Sequence, residues 1–261
     1  MSWIFGILHR NSLERDISSF VPQDSRALHK IRLPELSIIA GGLQETCLTG
    51  TLNEPDKGWL VVGLGITLRD DHVEFLSAEA WQRKLSEPTP DLRSLDGHFV
   101  ALRWSQGKLE CFTDQLGQRE LYYAEADGAI AFSTRLYWLT RLLPQCELDL
   151  EALSSRWLTF NQLSYRSPVR GVERLGPGGR GEFTASSRKA THVPWSPEPD
   201  SERGHRSLIS LLQTFAHPTI LDTKSISLGL SGGIDSRVIL SFIVRLVCAS
   251  IVLYAYIRSP Q

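Results

Sequence analysis

The chain has 261 residues, 42% hydrophobic and 22% charged, proportions that suit a globular protein of one large or two ordinary domains. Its 28 basic and 29 acidic residues nearly cancel, so the charge gives no reason to expect nucleic acid or an anionic membrane as partner. Cys47, Cys111, Cys146 and Cys248 form no Cys-x-x-Cys pair, which argues against zinc and for reduced, buried thiols. No basic-then-apolar leader opens the chain, and a cytoplasmic location is expected.

In chain order the first part reads as β-rich. Trp3–His9, Leu36–Gly41 and Gly58–Ile66 are apolar, β-branched runs. Gly97–Trp104 and Leu109–Thr113 flank Ser105-Gln-Gly-Lys108, and Leu121–Ala124 and Ala129–Ser133 flank Glu125-Ala-Asp-Gly128, two hairpin signals. Helices are expected over Ala78–Leu85, Thr134–Leu143 and Leu150–Phe160, where apolar residues recur at helical spacing. Gly176-Pro-Gly-Gly-Arg-Gly181 has no lysine and no following helix, and reads as a turn. Gly63-Leu-Gly65 lacks the third glycine of a dinucleotide fingerprint. Ser186–His205, rich in Ser, Pro, Arg and Glu, reads as an exposed linker between a domain over 1–185 and a second over 206–261. A short amphipathic helix is expected over Leu208–Phe215.

The most informative segment is Leu228-Gly-Leu-Ser-Gly-Gly-Ile-Asp-Ser-Arg237. Ser225–Leu230 supply a buried strand, Ser231, Gly232 and Gly233 a turn, and Asp235 and Ser236 the opening of a helix. A helix start exposes unpaired N–H groups and a positive dipole end, so anions bind there, and glycines let the backbone approach them. No Gly-Lys-Ser/Thr follows, which excludes the Walker pattern. The plainer alternative is a tight turn with a helix cap from Asp235 or Ser236. Val238–Ile257 is long and apolar enough to suggest a membrane span, but Arg245, two serines and two tyrosines dilute it. A buried helix from Asp235 to about Val247, then a buried strand over Ala249–Tyr256, is the preferred reading.

Ser231–Ser236 resembles the pyrophosphate loop of ATP pyrophosphatases, which adenylate a carboxylate. Four further segments resemble, in the same order, asparagine synthetase of the glutamine-hydrolysing type. They are Leu95-Asp-Gly-His-Phe-Val-Ala-Leu102, Asp114-Gln-Leu-Gly-Gln-Arg-Glu-Leu-Tyr-Tyr123, Phe132-Ser-Thr-Arg-Leu136 and Val172-Glu-Arg-Leu-Gly-Pro-Gly178. Glu120 stands where that family usually has proline, and Arg135 where it usually has glutamate. The resemblance implies an N-terminal-nucleophile-like αββα sandwich followed by an α/β ATP-pyrophosphatase (PP-loop) domain that uses ATP and magnesium. It also implies a carboxylate substrate and amide formation.

Site by site the resemblance is uneven. The family's nucleophilic cysteine is replaced by Ser2, and its small glycine by the bulky Trp3. Where an Asn-Gly-Glu clamp for glutamine belongs, Val62-Gly-Leu-Gly-Ile66 has no amide or carboxylate. Arg32 is the candidate for the glutamine-binding arginine. Relatives that lost the cysteine include β-lactam synthetases and lasso-peptide cyclases. By contrast Leu230, Ser231, Gly232, Gly233 and Ser236 match the nucleotide loop, and Asp235 its magnesium ligand. Arg237 replaces a serine, where it either adds a phosphate contact or points to solvent. The chain ends at Gln261, ahead of the family's second metal carboxylate, lysine and substrate site, so an incomplete ligase domain is expected.

These observations lead to a ligase-superfamily chain with a degenerate glutaminase domain, inactive by itself. A non-catalytic remnant or a split subunit completed by a partner chain is the first alternative. A hydrolase using Ser2 as N-terminal nucleophile is the second.

Overall fold

The computed structural model describes residues 2–9, 17–22, 25–52, 54–69, 72–92, 94–159, 164–184, 187–192, 226–230, 233–246 and 251–255. They fall into two compact units, Met1–Ile66 with Phe75–Ser196, and Thr67–Glu74 with Pro197–Gln261.

The strands of the first sheet are β1 (Trp3–Leu8), β2 (Ala27–Arg32), β3 (Leu36–Gly41), β9 (Tyr122–Ala126), β10 (Ala129–Ser133) and β11 (Val172–Arg174), in the order β11-β9-β10-β1-β3-β2. The second comprises β4 (Cys47–Leu52), β5 (Glu54–Arg69), β7 (Asp96–Ser105), β8 (Lys108–Thr113), β12 (Gly179–Thr184) and β13 (Ser187–His192), in the order β13-β12-β8-β7-β5-β4, and β6 (His72–Phe75) pairs with β5. Helices α1 (Ala78–Ser86), α2 (Leu136–Thr140) and α3 (Leu150–Thr159) complete the first unit.

The alternation of side chains along each strand builds the layers. From β1, Ile4 and Leu8 enter one core together with Leu60 and Val62 of β5 and Val100 and Leu102 of β7. Trp3, Phe5 and Ile7 point the other way, into a core shared with Trp138 and Leu139 of α2. On the second sheet Trp59, Val61, Phe99 and Ala101 meet Trp81 and Leu85 of α1. The order is therefore helix, sheet, sheet, helix, the αββα sandwich expected. Central strands covered on both faces must be largely apolar, and β1 and β3 are buried at every position.

Both expected hairpins form, one in each sheet. Their central pairs, Gln106-Gly107 (φ 48° and 72°) and Asp127-Gly128 (φ 51° and 72°), have the two positive φ angles of a type I′ turn. Helix α1 starts at Ser77, whose hydroxyl accepts the Ala80 N–H at 3.3 Å. Of the glycine run at 176–181, Gly176–Gly178 form the turn read from the sequence, while Gly179, Arg180 and Gly181 already belong to β12.

Two expectations need correction. The helix read over Thr134–Leu143 shrinks to α2, because the Thr134 N–H donates to the Ile4 carbonyl and extends the sheet pairing. After α2, Leu142 and Leu143 make only turn-type bonds to Leu139 and Thr140, ahead of Pro144. The linker read from Ser186 begins too early, since Ser187–His192 pair with β12 along its whole length. A sheet edge tolerates the exposed Arg188 and Lys189 that make this stretch look unstructured in sequence.

In the second unit, β14 (Ile226–Leu230) is followed by α4 (Ile234–Leu246) and β15 (Ile251–Ala255). β14 and β15 pair in parallel, from Ile226 with Ile251 to Leu230 with Ala255, which makes 226–255 a βαβ unit. The helix expected over Leu208–Phe215 lies outside the described residues. Among the described residues, no helix is long and apolar enough to cross a membrane.

Candidate functional site

Ser2 stands immediately before β1 and is 2% exposed. Its Oγ accepts the Leu43 N–H at 3.2 Å and lies 2.5 Å from Thr46 Oγ1. Gly42 makes this approach feasible. At φ 115° any Cβ there would come within 2.5 Å of Ser2 Cα.

A cavity of about 420 Å³ opens beside Ser2. One wall is the loop 114–119, shaped by the buried Asp114 carboxylate. Its Oδ1 accepts the N–H groups of Leu116 (3.2 Å) and Gln118 (2.9 Å), and its Oδ2 those of Phe99 (3.3 Å) and Arg119 (2.9 Å). The loop thereby presents Arg119, 8% exposed, whose Nη1 donates to the Ser2 carbonyl at 2.5 Å. Its Nη2 lies 3.4 Å from His98 Nδ1, and its buried Nε has no hydrogen-bond partner among the described residues. Arg135 and Thr134 also line the cavity; Thr134 Oγ1 accepts the Ile4 N–H at 3.0 Å. The carboxylate in the lining, Glu120, is engaged by Arg174 at 3.1 Å.

The electrostatics follow from this geometry. Burial, then the like charge of Arg135, lower the pKa of Arg119 below that of a free arginine, while Asp114 and Cys47 pull the other way. Burial pushes the Cys47 thiol up to about 11, so it is neutral at pH 7.

Two sequence expectations about this region change. Trp3 does not crowd the cavity. Strand alternation turns it to the opposite face, where it meets Trp138 edge-on with ring centroids 5.0 Å apart. Arg32 is at the wrong end of the sheet. It pairs with Ser37, which pairs with Ile7, five positions and roughly 17 Å along β1 from Ser2. The arginine beside Ser2 is Arg119, visible in the sequence only as part of a motif and not as a site residue. Val62, where the resemblance would put the clamp, is fully buried between the sheets, and the adjacent Gly63 (φ 108°) is held against Arg119 and the His98 carbonyl.

In the second unit, Leu230 ends β14, Gly233 is exposed, and Asp235 and Ser236 lie in the first turn of α4. Ser231 and Gly232 lie outside the described residues. Ser236 Oγ donates to the Gly233 carbonyl at 3.2 Å. Arg237 Nε donates to the same carbonyl at 3.3 Å, a contact that neither sequence expectation for Arg237 included. Among the described residues, no group of three or more His, Cys, Asp or Glu is placed to hold a metal ion.

No protein family matches the chain, and no curated protein matches it in sequence. Among solved structures it is similar to the allosteric regulatory enzyme of purine biosynthesis and to glutamine phosphoribosylpyrophosphate amidotransferase from B. subtilis complexed with ADP and GMP, each at 10% identity and a TM-score of 0.38. The chain is covered over 96% in both matches and spans 58% and 59% of those two proteins. Likeness this slight fixes no residue correspondence; the fold rests on the layers and cores described above.

Proposed function

We propose that this chain belongs to the asparagine-synthetase type of ATP-dependent amide ligases. In this reading its first unit is a glutaminase-like sandwich without glutaminase activity, and 226–255 begin the nucleotide unit. The observation that supports the nucleotide part is the strand–glycine–helix–parallel strand order with Asp235 exposed in the first turn of α4. Such a helix start offers backbone N–H groups and a positive dipole end to phosphate. Leu230, Ser231, Gly232, Gly233 and Ser236 would border the nucleotide, and Asp235 would hold magnesium, whose bound form neutralises phosphate charge. One carboxylate with phosphate oxygens holds magnesium weakly, so the chain is expected to bind ATP without releasing pyrophosphate.

The loss of glutaminase activity is supported by Ser2 in place of a thiol, its Oγ bound to Leu43 and Thr46, and the apolar burial of Val62 at the clamp position. Restoring the thiol with Ser2→Cys is expected to produce no ammonia from glutamine. Release that depends on Ser2, abolished in Ser2→Ala, would instead favour an N-terminal serine hydrolase.

The test of the nucleotide part is titration of Mg-ATP into wild type and Asp235→Ala, with a parallel pyrophosphate assay. Weaker binding by the variant and no pyrophosphate are expected. Equal affinities reject the role of Asp235, and pyrophosphate release with any amino acid shows a complete ligase site. A second reading, a subunit completed by a partner chain, is favoured by the exposure of Ile234, Val238, Ile239 and Val244 along α4. Activity that emerges only on mixing with a second polypeptide would select it.

A further inference from the structure

We propose that the cavity beside Ser2 binds a small phosphate-bearing molecule, its phosphate held between Arg119 and Arg135. The site is in the first unit and does not depend on the nucleotide reading.

The argument starts from an imbalance of charge. A buried cation is costly unless a carboxylate or other anion pairs with it. Arg119 is 8% exposed, yet among the described residues its guanidinium meets only the Ser2 carbonyl and His98, and its Nε has no hydrogen-bond partner. Among the described residues no carboxylate forms an ion pair with it, and Asp114 acts on it only through space. The oxygens of Asp114 are taken up by four backbone N–H groups. Glu120 is engaged by Arg174, and the Cys47 thiol is neutral. A second guanidinium, Arg135, lines the same cavity and, among the described residues, has no ion pair. Two like charges facing one space are stable together when an anion lies between them.

The remaining lining gives the anion its chemistry. Thr134 Oγ1 accepts the Ile4 N–H and keeps its own proton to donate, and Gln118 adds an amide. Guanidinium forks match the tetrahedral oxygens of phosphate, and a phosphate monoester carries about −1.5 to −2 at pH 7, enough for two arginines where one carboxylate is not. The volume of about 420 Å³ exceeds that of free phosphate and leaves room for a small organic part. One of the two cations, Arg135, replaces an acidic residue in the resemblance drawn from the sequence, so this departure falls in the cavity wall and reverses its charge.

The test is calorimetric titration of inorganic phosphate, and separately of succinate, into the full chain at low salt without magnesium. Wild type, Arg135→Gln and Arg119→Lys are compared after tryptophan fluorescence shows them folded. Wild type is expected to bind phosphate at one site, at least about tenfold more tightly than succinate, and each variant to lose at least about tenfold. Arg135 is half-buried and holds no backbone group through its side chain, so if Arg119→Lys fails to fold, Arg135→Gln alone decides. No heat with millimolar phosphate overturns the proposal. Undiminished binding by Arg135→Gln also overturns it and places the phosphate elsewhere. Succinate binding as tightly as phosphate would make the site one for dicarboxylates.

Discussion

Replacing Asp114 with asparagine tests the loop on which the cavity depends. The two carboxylate oxygens accept four backbone N–H groups, two each, at 2.9–3.3 Å. An asparagine keeps one accepting oxygen and turns an NH2 group toward the other pair. Whichever way the amide is flipped, two buried N–H groups lose their acceptor and face a donor. A hydrogen bond to a charged group contributes about 1.5–3 kcal/mol, so the loss is bounded near 3–6 kcal/mol. Each pair includes one bond longer than 3.1 Å and the loop can relax, which brings the expectation to about 2–4 kcal/mol. That is a large share of the roughly 5–15 kcal/mol that holds a domain together. All 7 tryptophans fall within the residue ranges of the first unit, so their fluorescence in urea reports that unit. With a slope of about 2 kcal/mol per molar, the midpoint should fall by roughly 1–2 M. A shift worth less than about 0.5 kcal/mol, the size of an ordinary surface substitution, would refute this account of the loop.

The outer face of the second sheet predicts an acid limb. Burial alone would raise the pKa of Glu110, but hydrogen bonds from Arg103 and Arg180 outweigh it, and the net shift is downward. Its stabilisation is therefore present above the ordinary glutamate value of about 4.3 and lost as pH falls through the lower folded-state value. Glu110→Gln should flatten that limb of the unfolding midpoint against pH; an unchanged limb counts against the assignment. Gly6→Ala puts a Cβ 2.3 Å from Phe132 Cζ, the residue paired with it across β1 and β10, and should cost about 1–3 kcal/mol. Adding Phe132→Leu should recover part of this in urea unfolding, and a neutral Gly6→Ala would show that the ring yields freely.

What was legible in the sequence followed burial. Strands β1 and β3 and the Gly58–Ile66 stretch of β5 are largely buried and read as apolar runs, and the two glycine-containing turns name their hairpins. Strands β2 and β13 were missed because they are sheet edges, where Lys30 or Arg188 is as acceptable as valine. The βαβ unit was legible because strand, glycines and helix are contiguous. The cavity beside Ser2 was not, because its walls come from residues 2, 98, 118–120, 122 and 134–135, brought together only by sheet order. For the same reason Arg32 stood as a candidate only through the family resemblance, while Arg119 was hidden inside a motif whose loop closes over the first strand.

The pairing of β1 with β10 sets a schedule for synthesis. Phe5 finds Ser133, and Leu8 finds Ile130, only after roughly 125 further residues have been made. At about 5–20 residues per second, Trp3–Leu8 waits roughly 6–25 s on the ribosome without one of its two neighbours. During that interval a fully apolar hexapeptide has one flank open to any other nascent strand. The β2–β3 hairpin, made by residue 41, can cover the other flank early and halve the hazard. Slow translation or loss of that hairpin should therefore shift newly made chains into inclusion bodies, even where the finished fold is unchanged.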